Sequence, residues 1–233
     1  MAIIYLRTKN KTNIEADNLP EYTVNEMETR NDFSHKMLHQ LEGYMKDFLN
    51  YIPLDEDHLQ VYSPKLITII LEIGPELTSA LEIAVGCTRI YPMWEEFDPE
   101  LRSDREKLWK KEENGKKYSR SLSFNDYYSF LEKHNQQKLS EARVQLKDMS
   151  AYFKPFEKTN AKKTNPEWWN TYNQLRHDKY DNRKKATLEA ALKSLGALFW
   201  IVDNNSQLLS HDHFQSDVFL PLEFRIELSL KKL

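Results

Sequence analysis

The sequence has a single cysteine, Cys87, in 233 residues. An internal disulfide and a cysteine-rich zinc site are therefore both excluded. Cys87 ends an apolar helical run, where a small buried thiol is expected. Glycine is almost as scarce, with 5 residues beside 9 prolines. Few turns can be built from that supply, which favours long helices over a many-stranded sandwich and leaves little room for a glycine loop that cradles phosphate. No Gly-x-Ser-x-Gly elbow is present. Neither sign of charge dominates, since 33 basic side chains face 36 acidic ones for a net −3. Nothing global marks a nucleic-acid coat protein or a polybasic membrane binder. No apolar run approaches the ~20 residues needed to span a bilayer. The apolar start, Met1–Leu6, is too short for a signal peptide, so a cytoplasmic chain without a membrane partner is expected.

What is present is patterned mostly at helical spacing. Phe33, Met37, Leu41, Tyr44, Met45 and Phe48 recur at i, i+3 and i+4, predicting a helix capped at Asn31 or Asp32 and ended by Pro53. Ser63-Pro64 opens a second helix, apolar on a broad face and expected to be central. Gly74-Pro75 predicts a kink or break in it, and Gly86 its end. A polar insertion is expected at 88–122, where Arg102–Arg120 holds eight basic and four acidic residues in the pattern of a solvated face. Ser123 caps a helix predicted over 124–148. A last core helix is predicted at 186–202. The C-terminal segment 218–230 alternates apolar and polar residues, which predicts a strand, and residues 2–6 are its expected partner. The chain reads as one mainly α domain, 1–233, with a small β element joining its two ends.

The most informative stretch is Pro166–Tyr180. Thr164 and Glu167 have capping-box spacing, and Asn165-Pro166 fits an N-cap and first-turn pair. Helical spacing then places Trp168, Tyr172, Arg176 and Tyr180 in one row and Trp169, Asn173 and His177 in the next. The rings must pack, which carries Asn173, Arg176 and His177 to the edge of the packed surface. There Arg offers a rigid donor fork and His titrates near neutral pH. The segment 154–185 has nine basic and four acidic residues, so it is +5 while the rest of the chain is −8. Two readings stay open. Asn173, Arg176 and His177, with Tyr172 and Lys179, form a binding site; or Arg176 pairs with Asp178 or Asp181, and His177 with Asn173, at a helix seam. His35 and His39, at i and i+4, have neither a third ligand nor a catalytic Glu, and His211-Asp-His213 is a loop cluster of the same weak kind, so no metal and no cofactor is expected.

These residues also carry a resemblance. Lys154-Pro-Phe-Glu157, Pro166-Glu-Trp-Trp-Asn-Thr-Tyr-Asn173 and Arg176-His-Asp-Lys179, followed by an Ala/Leu-rich helix, resemble a group of uncharacterised prokaryotic proteins. Their pattern is Pro-x-Trp-Trp-x-x-Tyr-Asn-x-x-(Lys/Arg)-His. The stretch is also similar to the penultimate-helix motif of the HEPN superfamily. That resemblance implies an up-and-down bundle of four or five long helices, often dimeric, from a superfamily whose catalytic members are metal-independent ribonucleases of toxin and antiviral defence systems. Their motif is an Arg followed, after four to six residues, by a His. Here the positions counted on from Arg176 hold Asp181, Asn182 and Arg183, and those counted back from His177 hold Asn170, Thr171 and Tyr172. The expectation is a non-catalytic or degenerate HEPN-like module that binds RNA or a partner protein, in defence or stress response. The alternatives are a ribonuclease using Arg176 and His177, and a structural homodimerisation module.

Overall fold

The computed structural model describes residues 3–5, 21–88, 98–113, 116–119, 122–134, 138–147, 152–158, 165–209 and 213–220. The protein is mainly helical. Among the described residues are six α-helices: α1 (Val24–Leu49), α2 (Pro64–Cys87), α3 (Pro99–Trp109), α4 (Phe124–His134), α5 (Glu167–His177) and α6 (Leu188–Leu209). That is more than the four or five expected, because the supposed polar insertion contributes α3. The three long helices pack on one another, and α2 also touches α4 and α5, which makes it the central helix as expected. None of the described helices is long and apolar enough to cross a membrane.

The start of α2 follows its sequence. The Ser63 side chain accepts from the Lys65 amide (3.3 Å), and Pro64 occupies the first turn, where its missing N–H costs nothing. The helix then runs unbroken through Gly74-Pro75, and the expected break is absent. A proline inside a helix costs about 3 kcal/mol. Burial of Leu66, Ile69, Ile70, Ile73, Leu77 and Leu81 outweighs it, at about 1.5–3 kcal/mol for each such side chain. Gly74 is required by a neighbour. A Cβ built there would lie 2.2 Å from the Tyr172 ring of α5. Gly74→Ala is accordingly expected to destabilise the protein by about 1–3 kcal/mol through overpacking. Thermal denaturation checks this, and an unchanged melting temperature would show that the Tyr172 ring yields freely.

Several boundaries differ from the sequence-based expectation. Helix α1 begins at Val24, not near Asn31, and Asn31 is buried inside it, where its Nδ2 donates to Ser206 Oγ (3.0 Å). The helix expected over 124–148 stops at His134. Leu139–Glu141 then form a 3-10 turn, and Val144–Leu146 form a strand. The last core helix runs to Leu209, beyond the expected 202.

The β elements are small and antiparallel. Strand β1 (Ile3–Tyr5) pairs with β2 (Glu21–Thr23), and β3 (Lys110–Glu113) with β4 (Lys116–Ser119). A three-stranded sheet has the order β6 (Tyr152–Phe153), β5 (Val144–Leu146), β7 (Phe219–Leu220). The expected pairing of the two chain ends is thus corrected. Phe219–Leu220 pairs with Gln145 and Leu146, whereas Ile3–Tyr5 pairs with the segment just before α1. The rest of the expected strand, 221–230, lies outside the described residues.

Candidate functional site

Helix α5 is held by its aromatic side. Trp168 is buried, and its Nε1 donates to the Pro155 carbonyl (2.6 Å). Trp169 stacks on Phe124 of α4 (ring centroids 4.3 Å apart) and lies 4.9 Å from the Tyr172 ring. At the helix start, Pro166 is the cap residue, one position later than expected. Its carbonyl accepts from the Trp169 and Asn170 amides (3.2 and 3.3 Å) with no side-chain cap. Thr164, the other half of the expected capping box, lies outside the described residues.

The helix ends at His177. Asp178 turns the chain out of it, and the Asp178 carboxylate accepts from the amides of Tyr180 (2.9 Å) and Asp181 (3.0 Å). Tyr180 therefore leaves the row that helical spacing assigned to it. The loop is tied back by Asn182, whose Nδ2 donates to the carbonyls of Gln174 (3.2 Å) and Asp178 (2.9 Å). A short 3-10 turn, Arg183–Lys185, leads into α6.

The five site residues are divided between several surfaces. Tyr172 is buried against Gly74. Arg176 is exposed, with its guanidinium 5.8 Å from the Tyr172 ring centroid, and His177 and Lys179 are exposed beside it. Among the described residues no hydrogen bond or ion pair joins Arg176 to Asp178 or Asp181, or His177 to Asn173. Asn173 is half-buried in a cleft of about 740 Å³ between α5 and α6. Arg176 and His177 stand outside that cleft. Lys179 borders a different hollow, of about 400 Å³, with Ile67 and Leu71 of α2.

Two features of this region were not anticipated. Lys184 and Lys185 line the cleft, opposite Asn170, Asn173 and Gln174. The Lys185 Nζ donates to Gln174 Oε1 (2.6 Å) and Asn182 Oδ1 (2.8 Å), which fixes the loop to α5. On the far wall Glu189 is bound by Lys193 (2.6 Å) and by Gln60 (2.8 Å), and the Lys193 ammonium above all holds its carboxyl below the usual range. The second feature is aromatic. Tyr180 is 74% exposed, and the Arg183 guanidinium lies 4.4 Å from its ring centroid. Tyr62, 48% exposed, is joined by a β-bridge to Thr187 just past the loop. Residues 176–185 carry Arg176, Lys179, Arg183, Lys184 and Lys185 against Asp178 and Asp181, five positive charges to two negative.

Other polar clusters have structural partners. His134, with its side chain buried, sets Nδ1 against Asp98 Oδ2 (2.5 Å) and Nε2 against Asp104 Oδ2 (3.0 Å), so the ring can donate to both only as imidazolium. Lys133 adds bonds to Glu100 (2.5 Å) and Asp104 (2.6 Å). Its ammonium, then His134, holds the Asp104 carboxyl at about 2, and His134 draws Asp98 below its ordinary value. This network docks α3, with buried Leu101, Arg105 and Leu108, onto α4. So the charged segment is packed on one side, although its composition reads as a solvated face.

His35 Nε2 lies 2.6 Å from Ser206 Oγ, a serine–histidine pair that invites a nucleophile reading. The Ser206 hydroxyl donates to the Val202 carbonyl (2.7 Å), which leaves it an acceptor and the pair structural. Burial lowers the His35 pKa. His39 packs on Phe214 (4.5 Å between centroids), and His213 faces Asp203 (3.3 Å), while His211 lies outside the described residues. Among the described residues no three His, Cys, Asp or Glu side chains converge as metal ligands. Cys87 is buried as expected, and burial pushes its thiol up to about 12, which disfavours the reactive thiolate.

No family model matches this chain, and neither a curated protein nor a solved structure matches it, so the chemistry of the site rests on its own geometry.

Proposed function

We propose that the protein is a non-catalytic, HEPN-like binding module that holds single-stranded RNA on the surface formed by the end of α5 and the loop to α6. The observation that carries this reading is the juxtaposition on residues 176–185 of five cationic side chains with an exposed tyrosine ring. Phosphates are held by Lys and Arg, while an exposed ring offers a face for base stacking; together they suit a single strand. The Asp178 Oδ1 is engaged with the Tyr180 and Asp181 amides, and five cations against two acids leave the loop with a net positive charge. A binding rather than catalytic role fits the absence from the sequence of a histidine at the ribonuclease spacing from Arg176.

Fluorescence anisotropy with a short labelled RNA at two salt concentrations tests the proposal. Affinity is expected to fall steeply with salt, with a log–log slope of about −0.7 per phosphate neutralised. Arg176→Ala and Lys184→Ala are each expected to weaken binding and to flatten that slope by about 0.7, with the fold unchanged. Salt-independent binding, or no loss in either variant, would overturn the reading. RNA cleavage abolished by His177→Ala would replace it with the ribonuclease.

A further inference from the structure

We infer that His134 is a pH-sensitive clasp, which holds α3 on α4 while the imidazole is protonated and releases it when the proton is lost. The inference is independent of the RNA-binding reading. The ring faces a carboxylate at each nitrogen, Asp98 at Nδ1 (2.5 Å) and Asp104 at Nε2 (3.0 Å). A neutral imidazole has one N–H, so its other nitrogen would set a lone pair against a carboxylate oxygen. The His134 side chain is 0% exposed, which leaves no room for water to bridge the two. His134 is also the last residue of α4, where the carbonyl end of the helix favours a positive ring.

Both acids belong to the element that would be released. Asp98 precedes α3 and caps it, its Oδ1 accepting from the Glu100 amide (3.1 Å), and Asp104 lies within the helix. The other charges at this seam keep their state. Lys133 is bound to Asp104 and Glu100, which hold its ammonium above the usual lysine range, and Lys107 lies 3.7 Å from Asp104. Arg105, on the same helix, reaches the Thr88 carbonyl (3.4 Å) and stays charged. Asp104 is held at about 2 by Lys133 and then His134, and Asp98 is lowered by His134, so both remain carboxylates well into acid. That leaves the ring to change charge between mildly acid and alkaline pH. Its contribution is complete in mild acid and is lost as pH rises. What then remains on α3 is the Lys133 pair and the burial of Leu101 and Leu108.

Hydrogen exchange on the full chain, read as protection relative to the intrinsic rate at each pH, tests the clasp between pH 6 and 9. Protection of the α3 amides is expected to fall at least about tenfold over that range, while α2 keeps its own. His134→Gln should give the lower α3 protection at every pH. Asp104→Asn should keep α3 docked and remove the pH dependence, because a neutral ring can donate to Asp98 and accept from a carboxamide. Protection of α3 that does not change with pH in the unaltered protein overturns the inference. A pH dependence that survives in either variant also overturns it. An equal loss of protection in α2 does so as well, since the whole protein would then be unfolding.

Discussion

Trp168→Ala is expected to cost about 3–5 kcal/mol and to lower the melting temperature by on the order of 10 °C. The side chain is 2% exposed and packs edge-on against Trp169, 5.7 Å between ring centroids. Truncation opens a cavity between α5 and its neighbours and removes the donor to the Pro155 carbonyl, a buried group left unpaired at a further cost of about 1–3 kcal/mol. Trp168→Phe, which keeps a ring but not the donor, should fall between the two. The exposed side of the same helix behaves oppositely. Arg176→Ala should change stability by no more than about 0.5 kcal/mol while weakening RNA binding. Thermal melts and anisotropy on the same three variants check the division. A Trp168→Ala protein that melts normally yet binds poorly would place the indole in the site instead of the core.

That division of α5 was legible from helical spacing, because Trp168, Trp169, Thr171, Tyr172 and Leu175 are the buried positions and Asn173, Arg176 and His177 lie at the edge or outside. The spacing misled only at Tyr180, where the Asp178 side chain takes the next amides and ends the helix. The cleft was not legible. Its second wall comes from Lys184, Lys185 and α6, and the loop that brings them back is set by Asn182 and Lys185 bonds to Gln174, eight and eleven residues away. The start of α1 was hidden for another reason. Residues 24–30 are mostly polar, and Asn31, a natural cap by type, instead donates its Nδ2 to Ser206, 175 residues on. The His134 network joins residues 30 and 36 apart, and mixed charge reads as solvated wherever its partners are distant in sequence. Leu139, Val144 and Leu146 fit a helix or a strand equally well, and the pairing of Val144–Leu146 with β6 and β7 decides it.

Glu42→Ala is expected to be the most damaging change at a charged residue, and its cost should depend on pH. The side chain lies fully buried on α1, where it accepts from the Ser216 hydroxyl and from the Asp217 amide (2.9 Å). Ser216 Oγ in turn accepts from the amides of Val218 (3.1 Å) and Phe219 (2.8 Å), so Glu42 anchors the segment that leads into β7. Alanine leaves two buried donors without an acceptor, at about 1–3 kcal/mol each. Glutamine does not restore the site, because one face of its amide presents a donor to another donor. Burial, opposed by these hydrogen bonds, raises the Glu42 carboxyl above its ordinary value. A carboxyl raised in the folded state binds its proton more tightly there than in the unfolded chain. The stability it contributes is therefore complete below the ordinary glutamate value, about 4.3, and declines as pH rises through the higher folded value. The gap in unfolding free energy between the unaltered protein and Glu42→Ala should narrow from acid toward neutral pH, as urea denaturation across that range would measure. A gap that widens instead would mean that the hydrogen bonds from Ser216 and Asp217 outweigh burial, and that Glu42 serves as a stabilised carboxylate.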